Sequence, residues 1–145
     1  MSSDRHDRRM SSADARERDA TLEDVLRRAG ELRERDDDRP ALLWYQRAVE
    51  LGPGSFDAWC GLAHVCWKLA RHEESLVASE RALALDPRSM LAWTFKAEAL
   101  LRQRRYAEAV EACDQALAIR RGDAKILYCR DFARAMLRAG LGTRR

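Results

Sequence analysis

A 34-residue period runs through the chain and constrains its fold more than any other sequence feature. The clearest unit is residues 55–89, where apolar side chains recur at spacings of three and four in two runs. A short polar break, Arg71–His72–Glu73, separates the runs. Such spacing is typical of amphipathic helices, and Ser55 and Pro87 are suited to begin the first helix and end the second. The unit is therefore predicted to be a helical hairpin.

Shifting the sequence by 34 residues aligns residues of the same kind on both sides of this hairpin. Residues that can cap a helix N-terminus stand at Thr21, Ser55, Ser89 and Asp123. Large apolar residues align at Val25, Trp59, Trp93 and Leu127. Small residues align at Ala29, Ala63 and Ala97, and again at Ala48, Ala82 and Ala116. The alanines predict close helix packing, with the two tryptophans filling the space between the helices.

With these residues the chain resembles the tetratricopeptide repeat family, whose unit is a helix–turn–helix of this length. The resemblance implies an all-α fold, a right-handed superhelical α-solenoid of antiparallel helix–turn–helix repeats. Three repeats are expected at about 22–55, 56–89 and 90–123, followed by a capping helix at 124–139. Together they form a predicted domain over residues 21–139. Residues 1–20 are expected to be a disordered or frayed tail, and residues 140–145 a basic tail.

Charge, cysteines and hydropathy exclude several classes of protein. The net charge of +3 is too small to indicate nucleic-acid binding, although the arginine-rich C-terminal end leaves an acidic partner open. No apolar run is long enough to span a bilayer, and the N-terminus lacks the apolar stretch of a signal peptide. Four cysteines without a CxxC pair favour reduced thiols. A cytoplasmic protein without a membrane partner is expected.

No motif typical of catalysis or phosphate binding occurs in the sequence. The one suggestive pair is Cys60 and His64, one helical turn apart, which could form a thiolate–imidazole contact or supply two metal ligands. A metal would need further ligands, and the expected stacking offers only Cys129. The prediction is therefore a non-enzymatic protein with no cofactor and no metal, with a metal or thiol site at Cys60 and His64 as a less favoured alternative.

The family resemblance implies that the first helices of successive repeats line a concave groove for a peptide or partner helix. The positions carried over to this chain are Leu26, Arg33, Cys60, His64, Trp67, Lys68, Thr94, Glu98, Leu101, Arg102, Tyr128 and Phe132, with Gly30 and Lys125 beside them. Some family members hold the C-terminal carboxylate of a chaperone tail with charged and amide side chains. The corresponding positions here are Leu26, Gly30, Gly61, Leu91 and Phe95, which cannot make those contacts.

The sequence therefore predicts a protein-interaction module, an adaptor or scaffold, that binds a peptide or amphipathic helix of another protein in the concave groove. An apolar patch of Trp67, Leu101, Tyr128 and Phe132, edged by charges, is the expected centre of binding because aromatic anchors dominate interface energies. Two alternatives stay open: a self-assembling repeat scaffold, and a groove filled by the chain's own N-terminal tail.

Overall fold

The computed structural model describes residue 12 and residues 20–142 of the chain. Most of the predicted N-terminal tail and the last three residues of the predicted basic tail lie outside these residues. Seven helices follow residue 20 in the described part: α1 (Leu22–Glu34), α2 (Asp38–Leu51), α3 (Phe56–Lys68), α4 (His72–Leu85), α5 (Met90–Arg102), α6 (Tyr106–Ile119) and α7 (Ala124–Arg138). They form three antiparallel hairpins and a final single helix, which confirms the predicted all-α repeat fold. None of the described helices is both long and apolar enough to cross a membrane.

The first helix of each hairpin, and α7, begin at the residues that the sequence indicated. The side-chain oxygens of Thr21, Ser55, Ser89 and Asp123 accept hydrogen bonds from backbone N–H groups three residues on, at 3.3, 3.2, 3.2 and 3.0 Å. Each bond satisfies a donor that has no partner within its helix. The four predicted N-caps are confirmed.

The turn inside each hairpin has the same backbone geometry in all three copies. Asp36, Ala70 and Arg104 adopt left-handed φ angles of 59°, 58° and 58°. The N–H of the following residue then donates to the carbonyl five positions back, as from Arg71 to Cys66 at 2.8 Å. This pairing is the Schellman closure of a helix C-terminus, which usually uses glycine at the left-handed position. The second helix of each hairpin starts two residues after the left-handed residue.

The helices stack in sequence, and the first helices form the inner layer. Each helix contacts its neighbours in the chain, and α1, α3, α5 and α7 also contact one another in order, whereas α2, α4 and α6 do not. The closer approach on the first-helix side makes it the concave side of the stack. We call the surface formed by α1, α3, α5 and α7 the inner face.

Alanines occupy the closest helix contacts, as the sequence predicted. Ala29, Ala63 and Ala97 are fully buried. Trp59 and Trp93 are only half-buried, so their rings lie at the edge of the core instead of filling it. Their indole nitrogens donate to the carbonyls of Pro53 and Pro87, at 2.7 and 2.8 Å, and so tie each hairpin to the preceding loop.

Candidate functional site

An open cavity of about 540 Å³ lies on the inner face where α3, α5 and α7 meet the last hairpin turn. We call it the C-terminal cavity. Its walls are formed by Trp67, Glu98, Leu101, Arg102, Arg104, Tyr106, Lys125, Tyr128, Cys129 and Phe132. Two aromatic side chains on α7 face solvent here, since Tyr128 is 73% exposed and Phe132 is 43% exposed. Exposed aromatic rings beside a cavity are typical of surfaces that bind another molecule.

The aromatic walls of this cavity are held by ring contacts beneath them. The Trp67 ring lies 6.0 Å from both His64 and Phe95, measured between centroids, and His64 stacks on Phe95 at 5.2 Å. The Phe132 ring meets Tyr106 edge to face at 6.3 Å. Packed rings of this kind keep the apolar surface in one arrangement, which reduces the entropy lost on binding.

The acidic side chain of the cavity is already neutralised. Glu98 is only 8% exposed, and the Nζ atom of Lys125 lies 2.5 Å from its Oε1. The same ammonium group lies 5.3 Å from the centroid of the Trp67 ring, within range of a cation–π contact. Lys125 therefore links α7 to α3 and α5 and cancels the charge of Glu98.

Two further cavities continue along the inner face. The middle cavity, about 510 Å³, is lined by Trp67, Lys68, Ala70, His72 and Arg102. The N-terminal cavity, about 630 Å³, is lined by twelve residues of the first two hairpins and of α5, which include Leu26, Gly30, Arg33, Cys60, Gly61 and Leu91. Trp67 and Arg102 belong to both the middle and the C-terminal cavities.

The structure divides the predicted groove residues among these cavities. Those at the C-terminal cavity are Trp67, Glu98, Leu101, Arg102, Tyr128 and Phe132. Those at the N-terminal cavity are Leu26, Arg33 and Cys60. Lys68 lines the middle cavity, and His64 supports Trp67 from below. Thr94 lines none of the three, and its hydroxyl donates to the Met90 carbonyl of its own helix at 2.8 Å.

Arg104 and Tyr106 line the C-terminal cavity although the sequence analysis did not select them. Arg104 lies in the turn between α5 and α6 and Tyr106 is the first residue of α6, whereas the predicted groove residues lie on the first helices of the hairpins and on α7. The 34-residue alignment could have indicated these two residues, since it aligns them with Asp36 and Asp38 at the first hairpin turn.

The environment of Cys60 and His64 weighs against a reactive thiol or metal site. Burial, above all, raises the pKa of the Cys60 thiol and lowers the pKa of the His64 imidazole. Both groups are therefore held in their neutral forms, and a thiolate–imidazolium pair is disfavoured. Within residues 20–142, no group of three or more His, Cys, Asp and Glu side chains is placed to hold a metal ion. Cys129 lies instead beside Cys113, whose pKa is raised to about 12, chiefly by burial and then by Cys129.

The fold and these cavities define a class: a stack of helical hairpins with ligand-sized openings on its inner face. Residues 60–124 match the family model described as tetratricopeptide repeat. Residues 60–124 are therefore tetratricopeptide repeat sequence, and the seven helices of the described part are consistent with three such motifs and a capping helix. No curated protein matches it.

Several solved tetratricopeptide repeat domains share the fold at low sequence identity. The Arabidopsis OM64 domain superposes with a TM-score of 0.75 at 17% identity, covering 79% of this chain and 94% of that chain. The TPR2B domain of yeast Sti1, solved as a pHsp70 complex, gives 0.71 at 21% identity and covers 79% of this chain and 97% of its own. The first domain of Spaghetti (RPAP3), bound to the HSP90 peptide SRMEEVD, gives 0.77 at 12% identity and covers 81% and 94%. Identities this low bear on the fold alone.

Proposed function

We propose that the chain is a non-enzymatic protein-interaction module, an adaptor or scaffold, that binds a peptide or amphipathic helix of a partner protein on its inner face. The observation that carries this proposal is the C-terminal cavity, where Tyr128 and Phe132 are exposed beside Trp67 and Leu101. Burial of such aromatic anchors by a partner supplies most of the energy of a peptide interface.

The likeness to solved peptide complexes supports this class of function without naming the peptide. The Sti1 and RPAP3 domains are recorded with chaperone-derived peptides. In this chain the positions corresponding to the chaperone-tail contacts are Leu26, Gly30, Gly61, Leu91 and Phe95. These side chains cannot bind a terminal carboxylate, so we propose a partner other than a chaperone tail.

Photo-crosslinking in the native host would test the proposal. Replacing Tyr128 with the photoreactive residue p-benzoylphenylalanine should yield one defined adduct with a partner protein. Adding Phe132→Glu should abolish the adduct, because a charge would enter the apolar cavity. Val77→Glu is the matched control, since Val77 is 52% exposed on the outer helix α4. Retention of the adduct in Phe132→Glu, with unchanged helical circular dichroism in all variants, would contradict the proposal.

Self-association through the outer helices is a second candidate. Leu43 on α2 and Val77 on α4 are 34 residues apart, and both are exposed apolar side chains. Such a row can pair with a copy of itself. Sedimentation velocity over a range of concentrations would detect this dimer, and the paired change Leu43→Glu/Val77→Glu should then return it to monomer.

A further inference from the structure

Two cations occupy equivalent positions in successive repeats but have different surroundings. Lys68 ends α3, and Arg102, 34 residues later, ends α5. The Lys68 Nζ atom lies 2.5 Å from an oxygen of Asp36 and 3.1 Å from an oxygen of Asp38. Lys68 is thus neutralised by the turn and the second helix of the preceding hairpin.

At the next pair of hairpins the cation is present as Arg102, but both acidic residues are replaced by other types. The residues equivalent to Asp36 and Asp38 are Ala70 and His72, and both line the middle cavity together with Arg102. Arg102 forms no ion pair with any carboxylate of residues 20–142. The Nδ1 atom of His72 is buried and lacks a hydrogen-bond partner in the same part of the chain. The inner face therefore carries an arginine that lacks carboxylates at the two positions that neutralise Lys68 in the preceding repeat.

A second unmatched cation stands at the same end of the inner face. Arg104 is the third member of the turn series Asp36, Ala70, Arg104, and it lines the C-terminal cavity. In the described part of the chain it has no carboxylate partner either. Since Lys125 cancels the charge of Glu98, the rim of the cavity carries an excess of positive charge beside an apolar floor.

We propose that the inner face binds a partner segment in which a carboxylate side chain lies close to an apolar or aromatic anchor. Arg102, assisted by Arg104, binds the carboxylate. This carboxylate has the same position relative to Arg102 as Asp36 and Asp38 have relative to Lys68. The anchor enters the C-terminal cavity against Trp67, Leu101 and Phe132. A planar guanidinium can bind a carboxylate through two parallel hydrogen bonds, and this adds specificity as well as affinity. The inference rests on the proposed function and specifies the partner as an acidic peptide.

The chain offers a way to neutralise Arg102 without removing it. The change Ala70→Asp/His72→Asp restores the acidic pair of the first repeat around Arg102, in a turn geometry that Asp36 already adopts. Gln115→Glu/Ala118→Glu makes the same change in formal charge on the exposed side of α6 and serves as the control. Arg102→Gln removes the cation directly.

The probes are 12-residue peptides selected from a random display library on the full chain, resynthesised with a fluorophore and measured by fluorescence anisotropy. We expect selected peptides rich in Asp, Glu and aromatic residues. Ala70→Asp/His72→Asp and Arg102→Gln should each weaken binding about tenfold, as for loss of one charge-assisted interaction. The α6 control should bind within about twofold of wild type, because screening at 0.15 M salt removes distant charge effects.

Other outcomes separate this inference from the proposed function. Peptides that bind Phe132→Glu poorly but tolerate Ala70→Asp/His72→Asp would support the groove and overturn the acidic partner. Enrichment of basic peptides would overturn it as well. A library that yields no binder counts against both proposals. Concentration-dependent dimerisation lost in Phe132→Glu would assign the surface to a second copy of the chain and overturn the acidic peptide.

Discussion

At the scale of single residues, the boundary between the first two hairpins is packed by two residues that lie 16 positions apart in the sequence. Tyr45 on α2 packs over Gly61 on α3, where a Cβ atom would lie within 2.5 Å of the Tyr45 ring carbon Cζ. The pairs at the equivalent positions of the next boundaries are Ser79 with Phe95, and Cys113 with Cys129. The first pair combines a large side chain with glycine, the second combines a small side chain with phenylalanine, and the third combines two medium ones. In the first pair, close packing is possible because the residue opposite the Tyr45 ring has no side chain.

Gly61→Ala should destabilise the protein although alanine favours a helix more than glycine does. The added methyl group would overlap the Tyr45 ring, and overpacking of this kind costs about 1–3 kcal/mol. The additional change Tyr45→Ser should recover part of the loss, because it removes the overlapping ring. Urea denaturation of the two single variants and the double variant gives the coupling energy. Additive losses would show that Tyr45 does not cause the effect.

These pairs explain what the sequence alone could and could not predict about packing. The sequence shows that serine and cysteine stand where larger residues are usual in such repeats, at Ser79 and Cys66. It does not show which side chain fills the space beside Ser79, because a compensating residue belongs to another helix. Ser79 is fully buried, and its hydroxyl donates to the Leu76 carbonyl at 2.8 Å. Its polar group therefore has a hydrogen-bond partner within the core.

At the scale of the helices, each hairpin turn places a residue other than glycine in a left-handed conformation. Asp36, Ala70 and Arg104 all have a side chain there. A β-carbon in this region costs roughly 1–2 kcal/mol, less for aspartate, which tolerates the region better. The closing hydrogen bonds and the packing of the paired helices must offset this cost in each repeat.

Ala70→Gly should therefore raise the free energy of unfolding by about 0.5–1 kcal/mol. The gain from relieving the left-handed strain exceeds the extra entropy that glycine has in the unfolded chain. Ala135→Gly is the control, since Ala135 is an exposed residue inside α7 and should lose about 1 kcal/mol. Thermal and urea denaturation measure both changes. A loss of stability in Ala70→Gly would mean that the turn is not strained.

The starts of the first helices and of α7 were predictable, whereas the conformation of the hairpin turns was not. Thr21, Ser55, Ser89 and Asp123 carry their capping function in their own side chains, so the pattern is legible in the sequence. The left-handed residues carry no such mark, because Asp, Ala and Arg share no chemistry. Their shared conformation goes with the backbone hydrogen bonds that close the preceding helix, and backbone groups leave no mark in the sequence.

At the scale of the whole molecule, stability is local because each hairpin contacts only its neighbours. The buried side chains form separate clusters, with Val25, Ala48 and Ala58 at one end and Ile126 in the cluster at the other. In such a stack the free energy of opening one end depends mainly on the adjacent contacts.

Val25→Ala and Ile126→Ala should thus loosen opposite ends of the molecule. Both side chains are buried, and each truncation should cost roughly 1–4 kcal/mol at its own end. Hydrogen exchange measured by mass spectrometry should show faster exchange in α1 and α2 for Val25→Ala, and in α6 and α7 for Ile126→Ala. Leu137→Ala, at a half-exposed position on α7, should change little. Uniform acceleration along the chain in either core variant would contradict local opening and indicate all-or-none unfolding.

The positions of the candidate binding residues were partly predictable at this scale. Trp67, Leu101, Tyr128 and Phe132 were selected from the repeat alignment, and the structure brings all four to one cavity. The alignment could not show that Leu26 and Cys60 belong to a different cavity, or that Lys125 cancels Glu98. Those facts depend on the angle between successive hairpins and on contacts between side chains far apart in sequence.

The turn positions 36, 70 and 104 share one backbone shape and carry three kinds of side chain: acidic, apolar and basic. Ala70 and Arg104 line cavities of the inner face, Asp36 pairs there with Lys68, and all three lie in turns between helices. Substitution at these positions can therefore change which ligands the surface selects while the architecture stays constant. They are natural sites at which a duplicated chain could diverge in specificity, and at which an engineer could redirect this scaffold to a new target without redesigning its core.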